Sequence, residues 1–128
     1  MLAIDHNTPE RELWREGVET QMRIAAVGGS HQLCIFEQWC QPGLGAPIHH
    51  HAVEEVLEVM SGRAEITVGS EKVIAEKNQS VLIPAGVRHG FRNISEDILH
   101  VRATIASPVF EGSYDDASEQ ARRWLPEA

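Results

Sequence analysis

Three histidines stand side by side at positions 49–51, and Glu55 follows four residues after the last of them. On an extended strand, residues two apart share a face, so His49 and His51 point one way and His50 the other. Glu55 opens a further extended run in which Leu57 and Val59 share its face. Imidazole nitrogens and a carboxylate oxygen on one face suit a borderline divalent ion: iron, manganese, nickel, copper or zinc. Three protein ligands would already make an open site. His89 falls on a later strand, where closure of a barrel would bring it opposite. The histidine run lies inside the chain, flanked by Gly45 and Pro47, which sets it apart from a tag.

The other polar residues have quieter readings. Glu54 and Glu58 lie on the opposite parity from Glu55 and read as solvated or interface charges. Arg88 and Arg92 flank His89 on the outward parity and read as ion-pair or interface residues, with a rim arginine for an anionic substrate as the sharper alternative. His31 and His100 have no partner motif, and Asn93 reads as a strand-end residue that satisfies backbone. Gln38 belongs to the even positions Cys34, Phe36, Gln38 and Cys40, which the pattern turns toward the interior. A buried amide needs partners, so Gln38 either bonds a ligand or bound water, or the parity is reversed and it is solvated. Phe91, two residues after His89, would form an apolar pocket wall with Leu57 and Val59. No separate acid–base pair or nucleophile stands out.

The elements that must position these residues are short and extended. Residues 10–18 make a turn or edge segment anchored by Trp14, and 19–27 and 31–40 read as strands around a Gly28-Gly29-Ser30 turn. Pro42 to Pro47 is a tight loop, after which 48–52 and 54–60 are extended. A hairpin over 63–68 and 71–76, a strand at 79–83 and two more at 87–94 and 97–106 complete the series. Strand signals at this regular spacing, eight to twelve residues apart, predict an all-β sandwich or barrel. Residues 1–9 look loose. The tail differs: capping oxygens at 113–116 and the run DASEQARRW predict a short helix over about 115–125, placing Trp124 or Leu125 on the barrel.

The segment 43–62, with Gly43, His49, His51, Glu55 and Gly62, resembles the first cupin motif at each defining position. The segment 78–93 resembles the second, with Pro84, Gly86, His89 and Asn93 in register. One departure is Asn78, where the second motif usually opens with glycine. Asparagine is the next best residue for a left-handed turn. The fifteen residues between Gly62 and Asn78 match the short spacing of small single-domain cupins. The resemblance implies one domain over 1–128, with a cupin double-stranded β-helix, a jelly-roll-like antiparallel barrel, as its core over about 19–106. It also implies one divalent transition metal per chain on His49, His51, Glu55 and His89. An activity of dioxygenase, isomerase or decarboxylase type on a small oxygenated molecule follows as an expectation. The alternative is a non-catalytic cupin that binds or senses a small ligand, since this fold hosts many activities.

Composition narrows the partners. The 128 residues carry 19 Asp+Glu against 11 Lys+Arg, a formal net charge of −8. Such a chain repels phosphate backbones and anionic lipid, which argues against nucleic-acid or membrane-surface binding. No apolar run approaches a membrane span, and the mixed, polar start lacks the pattern of a secretory signal, so a cytoplasmic location is expected. Cys34 and Cys40 sit on one strand, about 20 Å apart at full extension, too far for a disulfide. Leu33, Ile35, Trp39, Val56 and Met60 occupy the parity opposite the pocket, more apolar surface than one short helix covers. That excess, with the resemblance, predicts a homodimer with Trp39 at or near the interface.

Overall fold

Period-two alternation of apolar residues gives strands with one dry and one wet face. In the computed structural model, which describes residues 3–7 and 10–126, the central strands obey it, Glu55–Ser61 and Leu99–Ile105 most regularly. Of the loose start expected for 1–9, Met1, Leu2, Thr8 and Pro9 lie outside the described residues. Strands β1 (Glu12–Arg15), β2 (Val18–Ile24) and β3 (Cys34–Cys40) form a meander, with a short 3-10 turn at Ala26–Gly28 between the last two. Next come β4 (Gly45–His50), β5 (Glu55–Ser61), the hairpin β6 (Arg63–Val68) and β7 (Glu71–Glu76), β8 (Gln79–Ile83), β9 (His89–Asn93) and β10 (Leu99–Ile105). Three two-residue strands follow: β11 (Phe110–Glu111), β12 (Ser113–Tyr114) and β13 (Arg122–Arg123).

Two antiparallel sheets face each other. One runs β1-β2-β3-β10-β5-β8 and the other β12-β4-β9-β6-β7. The chain changes sheet repeatedly, so strands distant in sequence are neighbours: β10 lies between β3 and β5. Its alternation is regular, with Leu99, Val101, Ala103 and Ile105 buried. They meet Phe36, Leu57, Val59 and Ile83 of the same sheet, and Ala64, Ile66 and Ala75 of the other, in one core. Cys34, Phe36, Gln38 and Cys40 are all buried, as the parity of β3 requires. Both thiols are free, and burial pushes each up to about 12, so they behave as small apolar side chains.

Two backbone positions hold the turns and ladders in place. Asn78 has φ 68, the left-handed conformation its amide side chain tolerates. Gly45 lets β4 approach β9 closely: a Cβ there would lie 2.2 Å from the Phe91 carbonyl oxygen.

The tail corrects the sequence reading. No α-helix forms over 115–125; Arg122 and Arg123 instead pair with Glu111 and Phe110 as a strand. A helix of about nine residues is marginal without strong packing. Here Asp116 breaks it at its start, its Oδ1 accepting from the Ser118 N–H at 2.9 Å to close a turn. The extended path also carries Trp124 into an aromatic cluster, with ring centroids 5.5 Å from Trp14, 5.2 Å from Phe36 and 6.2 Å from Phe110. Trp124 takes φ 60 to do so, and the ring packing offsets that strain. Trp124 thus packs on the barrel as expected, but from a strand end.

Among the described residues, no helix is long and apolar enough to cross a membrane. Trp14 ties the first strand to the tail, being 9% exposed and in contact with Phe36, Phe110 and Trp124. Trp14→Ala is expected to lower the unfolding free energy by about 3–5 kcal/mol in denaturant titration. A change below about 1 kcal/mol would mean the cluster is not cohesive.

Candidate metal centre

The β4–β9 ladder places His49 directly opposite His89. His51 lies just past the end of β4, and Glu55 is the first residue of β5, held between Ile83 of β8 and Ile105 of β10. The four side chains are buried, 3–5% exposed, and one donor atom from each lies within 4.8 Å of all the others. The three imidazoles converge, with ring centroids 4.3–5.2 Å apart.

Each ring is oriented by a backbone carbonyl. His49 Nδ1 lies 2.7 Å from Pro47 O, and His89 Nδ1 lies 2.9 Å from Val87 O, in both cases two residues back along the chain. His51 Nδ1 lies 2.5 Å from Glu111 O, sixty residues away. A carbonyl oxygen only accepts, so each Nδ1 carries a proton. In the neutral rings, each Nε2 therefore holds a bare lone pair. His51 Nε2 and His89 Nε2 both sit 3.0 Å from Glu55 Oε1. The His89 contact has hydrogen-bond geometry, whereas His51 Nε2 is buried without any hydrogen bond. Two electron-rich atoms at 3.0 Å, dry and unbridged, require a positive charge between them. The donor set and the orphaned nitrogen fit a divalent transition metal.

The titration behaviour agrees. Burial raises the Glu55 carboxyl, but the His51 and His89 rings beside it outweigh burial and bring it down to about 2. Burial, with the neighbouring His89 and His51, pushes His49 down to about 3, so that ring is neutral and ready to donate. Burial also lowers His89, but the hydrogen bond and charge of Glu55 outweigh it and its pKa is raised.

Beside the four residues lies a cavity of about 20 Å³, room for an ion and about one water. Gln38 and Phe91 line it, with Leu57 and Phe36. Gln38 is 3% exposed and donates to Thr20 Oγ1 at 3.1 Å, so its parity is inward and a side chain satisfies the amide. Val59 is buried in the core but does not reach this wall.

The Cupin domain family model matches residues 37–105, more than half of the chain. The chain belongs to the cupin family. Among solved structures, this cupin is similar to the polyketide cyclase RemF of Streptomyces resistomycificus, with a TM-score of 0.75, 17% identity and coverage of 93% of this chain and 88% of that one. It is also similar to a Bacillus subtilis oxalate decarboxylase with Mn(II) centres, with a TM-score of 0.76, 17% identity and coverage of 84% and 30%. An uncharacterized protein of Streptomyces coelicolor is 52% identical over 48 residues, 38% of this chain and 46% of that one. The cupin spans less than half the length of the curated relatives it matches.

The remaining sequence candidates fall outside the cluster. His50 faces away, into a groove with Ala52, Ser113 and Arg122. Glu54 is exposed, and Glu58 pairs with Arg102 at 2.7 Å. Arg88 pairs with Asp115, and Arg92 with Glu65 at 3.2 Å. His31 is exposed, and His100 bonds Glu37 at 2.5 Å and stacks on Trp39. Asn93 donates to Cys40 O and Asp97 O and accepts from the Ser95 N–H, a structural knot.

Sequence reasoning missed six residues of the cavity wall: Trp14, Arg15, Ala46, Ala103, Phe110 and Tyr114. Trp14 and Arg15 are adjacent and both face inward because β1 slips register between Leu13 and Arg15. Tyr114 pairs with His49 across β12 and β4, and its ring stacks on that imidazole at 4.8 Å. Neither a two-residue strand nor a bulge leaves a periodic signal.

His89 must shed its proton to bind a metal, whereas His49 already has. Metal uptake near pH 6.5 should therefore release a proton from His89, and the release should fall away as pH rises above its elevated pKa. Calorimetry in buffers of different ionisation enthalpy measures this; a release that does not change with pH would contradict it. His50→Ala should leave metal content and the absorption of the cobalt-substituted protein unchanged, and a loss matching His51→Ala would mean that His50 shares the ion.

Proposed function

We propose that this cupin is a metalloenzyme of dioxygenase, isomerase or decarboxylase type. It acts on a small oxygenated molecule at one divalent transition metal held by His49, His51, Glu55 and His89. The observation that carries the reading is the buried His51 Nε2, without a hydrogen bond and 3.0 Å from the Glu55 carboxylate. When bound, the metal supplies a Lewis acid and a template for an oxygen-bearing substrate. The chain supplies the rest. Carbonyls of Pro47, Val87 and Glu111 hold the rings in one tautomer, and Phe36, Phe91 and Phe110 keep the cavity apolar and exclude bulk water. Gln38 presents a positioned amide at the cavity wall. Burial pushes the Tyr114 hydroxyl up to about 12, so it stays protonated at neutral pH and donates a hydrogen bond to a developing oxygen charge. A polyketide cyclase and an oxalate decarboxylase among the structural neighbours agree with an oxygenated substrate.

The tight cavity favours one second reading, a cupin that binds or senses a small ligand without turning it over. Oxygen-uptake and product screening of the metal-loaded protein with catechols, flavonols, thiols and keto acids separates the two. Turnover supports the enzyme; binding without turnover supports the sensor.

Two surfaces bear on assembly. On the outer face of the larger sheet, Val56 and Leu82 are 37% and 59% exposed. Trp39 is already flanked within the chain, with Arg11 3.5 Å over its ring and His100 stacked on it. A homodimer through this face would cover the exposed pair. Light scattering should give twice the mass of one chain at micromolar concentration, and a monomer would discard the dimer. The acidic net charge supports a small-molecule ligand rather than nucleic acid, and a cytoplasmic setting fits that reading.

The ligand assignment has a direct check. A His49→Ala, His89→Ala double variant should lose metal, and the metal-dependent rise in melting temperature should vanish with it, since metal binds only the folded state. Full occupancy in that variant would sink the assignment.

A further inference from the structure

One wall of the cavity carries a charged side chain paired within the chain. Arg15, on the inward side of the β1 bulge, lines the cavity with Tyr114 and the metal-site histidines. Its Nη2 donates to Glu119 Oε1 at 2.7 Å, its Nε to the same oxygen at 3.1 Å, and its Nη1 to Gly45 O at 3.1 Å. Both side chains are largely shielded, 14% and 15% exposed. A second guanidinium stands nearby: Arg123 lies 3.8 Å over the Trp14 ring, is 11% exposed, and has a buried Nε without a hydrogen-bond partner. Two guanidiniums thus stand beside Trp14, Arg15 paired with Glu119 and Arg123 with Glu12 at 3.5 Å, and of the two only Arg15 lines the cavity.

That carboxylate is lightly held. Residues 115–121 link β12 to β13, and all of them except Glu119 are exposed. The Glu119 N–H makes only a local bond, to Asp116 O at 3.2 Å; the segment is tied at its ends by the Asp115 N–H to Ile48 O at 3.1 Å and by the Gly112 N–H to Ala121 O at 2.8 Å, and otherwise by the exposed Arg88–Asp115 pair. Exposed pairs of that kind contribute little. The cavity measures about 20 Å³, too small for an organic molecule, so a substrate enters only if part of its wall, such as Arg15, moves.

We propose that Arg15 is the carboxylate-binding residue of this site and that Glu119 occupies it as an internal stand-in for the substrate. The substrate class is then a small carboxylic acid, whose carboxylate takes Arg15 from Glu119 and frees the exposed segment 115–121 that carries it. This rests on the metal reading above and adds the substrate class to it. A carboxylate replaces a carboxylate on the same donors, so the exchange leaves no buried charge unpaired. The other end of the acid faces the metal-site residues across the shared cavity. Tyr114, stacked on His49 between the two, spans the distance from anion site to metal site.

The test uses pyruvate and malonate as probes, with hydroxyacetone as a neutral match, on protein whose metal content is measured in the same samples. Calorimetry should show Glu119→Gln binding pyruvate about tenfold tighter than wild type, because the internal competitor is gone. Arg15→Met should weaken both acids by at least about tenfold and leave hydroxyacetone unchanged. Pyruvate should also speed amide exchange over 112–121 in the wild type, a signature that a purely structural ion pair would not give. Unchanged acid affinity in Arg15→Met, or no binding of either acid to Glu119→Gln, overturns the proposal. Metal present with Arg15-independent binding fails this proposal alone, whereas wild type that takes up no metal fails the metal reading.

Discussion

The structure turns on lone pairs brought together in a dry place. Three imidazole nitrogens and one carboxylate oxygen lie within 4.8 Å of one another, and each imidazole directs its Nδ1 proton at a backbone carbonyl, so that once His89 sheds its second proton its Nε2 joins the bare donors. Such a cluster repels itself unless a cation sits among the donors. Every strand that contributes to it must hold register, because a one-residue slip would turn a ligand to the outside. The β4–β9 pairing sets His49 against His89, and β5 is clamped on both sides where Glu55 begins. The core of Val59, Val101, Ile66 and their neighbours is what keeps those ladders from slipping.

Orientation of the rings comes from two ranges of the chain. His49 and His89 use the same local device, a carbonyl two residues earlier, and so carry their orientation wherever the strand goes. His51 depends on Glu111, in the tail. The tail is therefore part of the site: β11 supplies a ring-orienting carbonyl, β12 supplies Tyr114, and Arg123 of β13 and the following Trp124 pack against Trp14, which lines the cavity. Folding the barrel without the tail would leave one ligand loose and the cavity open.

What the sequence made legible follows from what is local. The alternation of β3, β5 and β10 is period two on a half-buried strand, so the inward parity of Gln38, Glu55 and Leu57 could be read directly. The left-handed turn at Asn78 was legible from its residue type. The outward turn of His50 followed from parity alone. The tail was misread because its helical propensity is real but weak, and long-range pairing with Phe110 and Glu111 overrode it. Arg15 and Tyr114 were missed for a related reason: a bulge and a two-residue strand place them, and each exists only in relation to a distant partner.

X-ray absorption on the cobalt- or zinc-loaded wild type addresses the central claim most directly, because it counts the atoms around the ion. One ion per chain, with three imidazoles and one carboxylate oxygen at about 2.0–2.2 Å and light-atom ligands completing the shell, is the result this arrangement requires. An ion bound by fewer than two imidazoles, or no stoichiometric ion after loading, would contradict it.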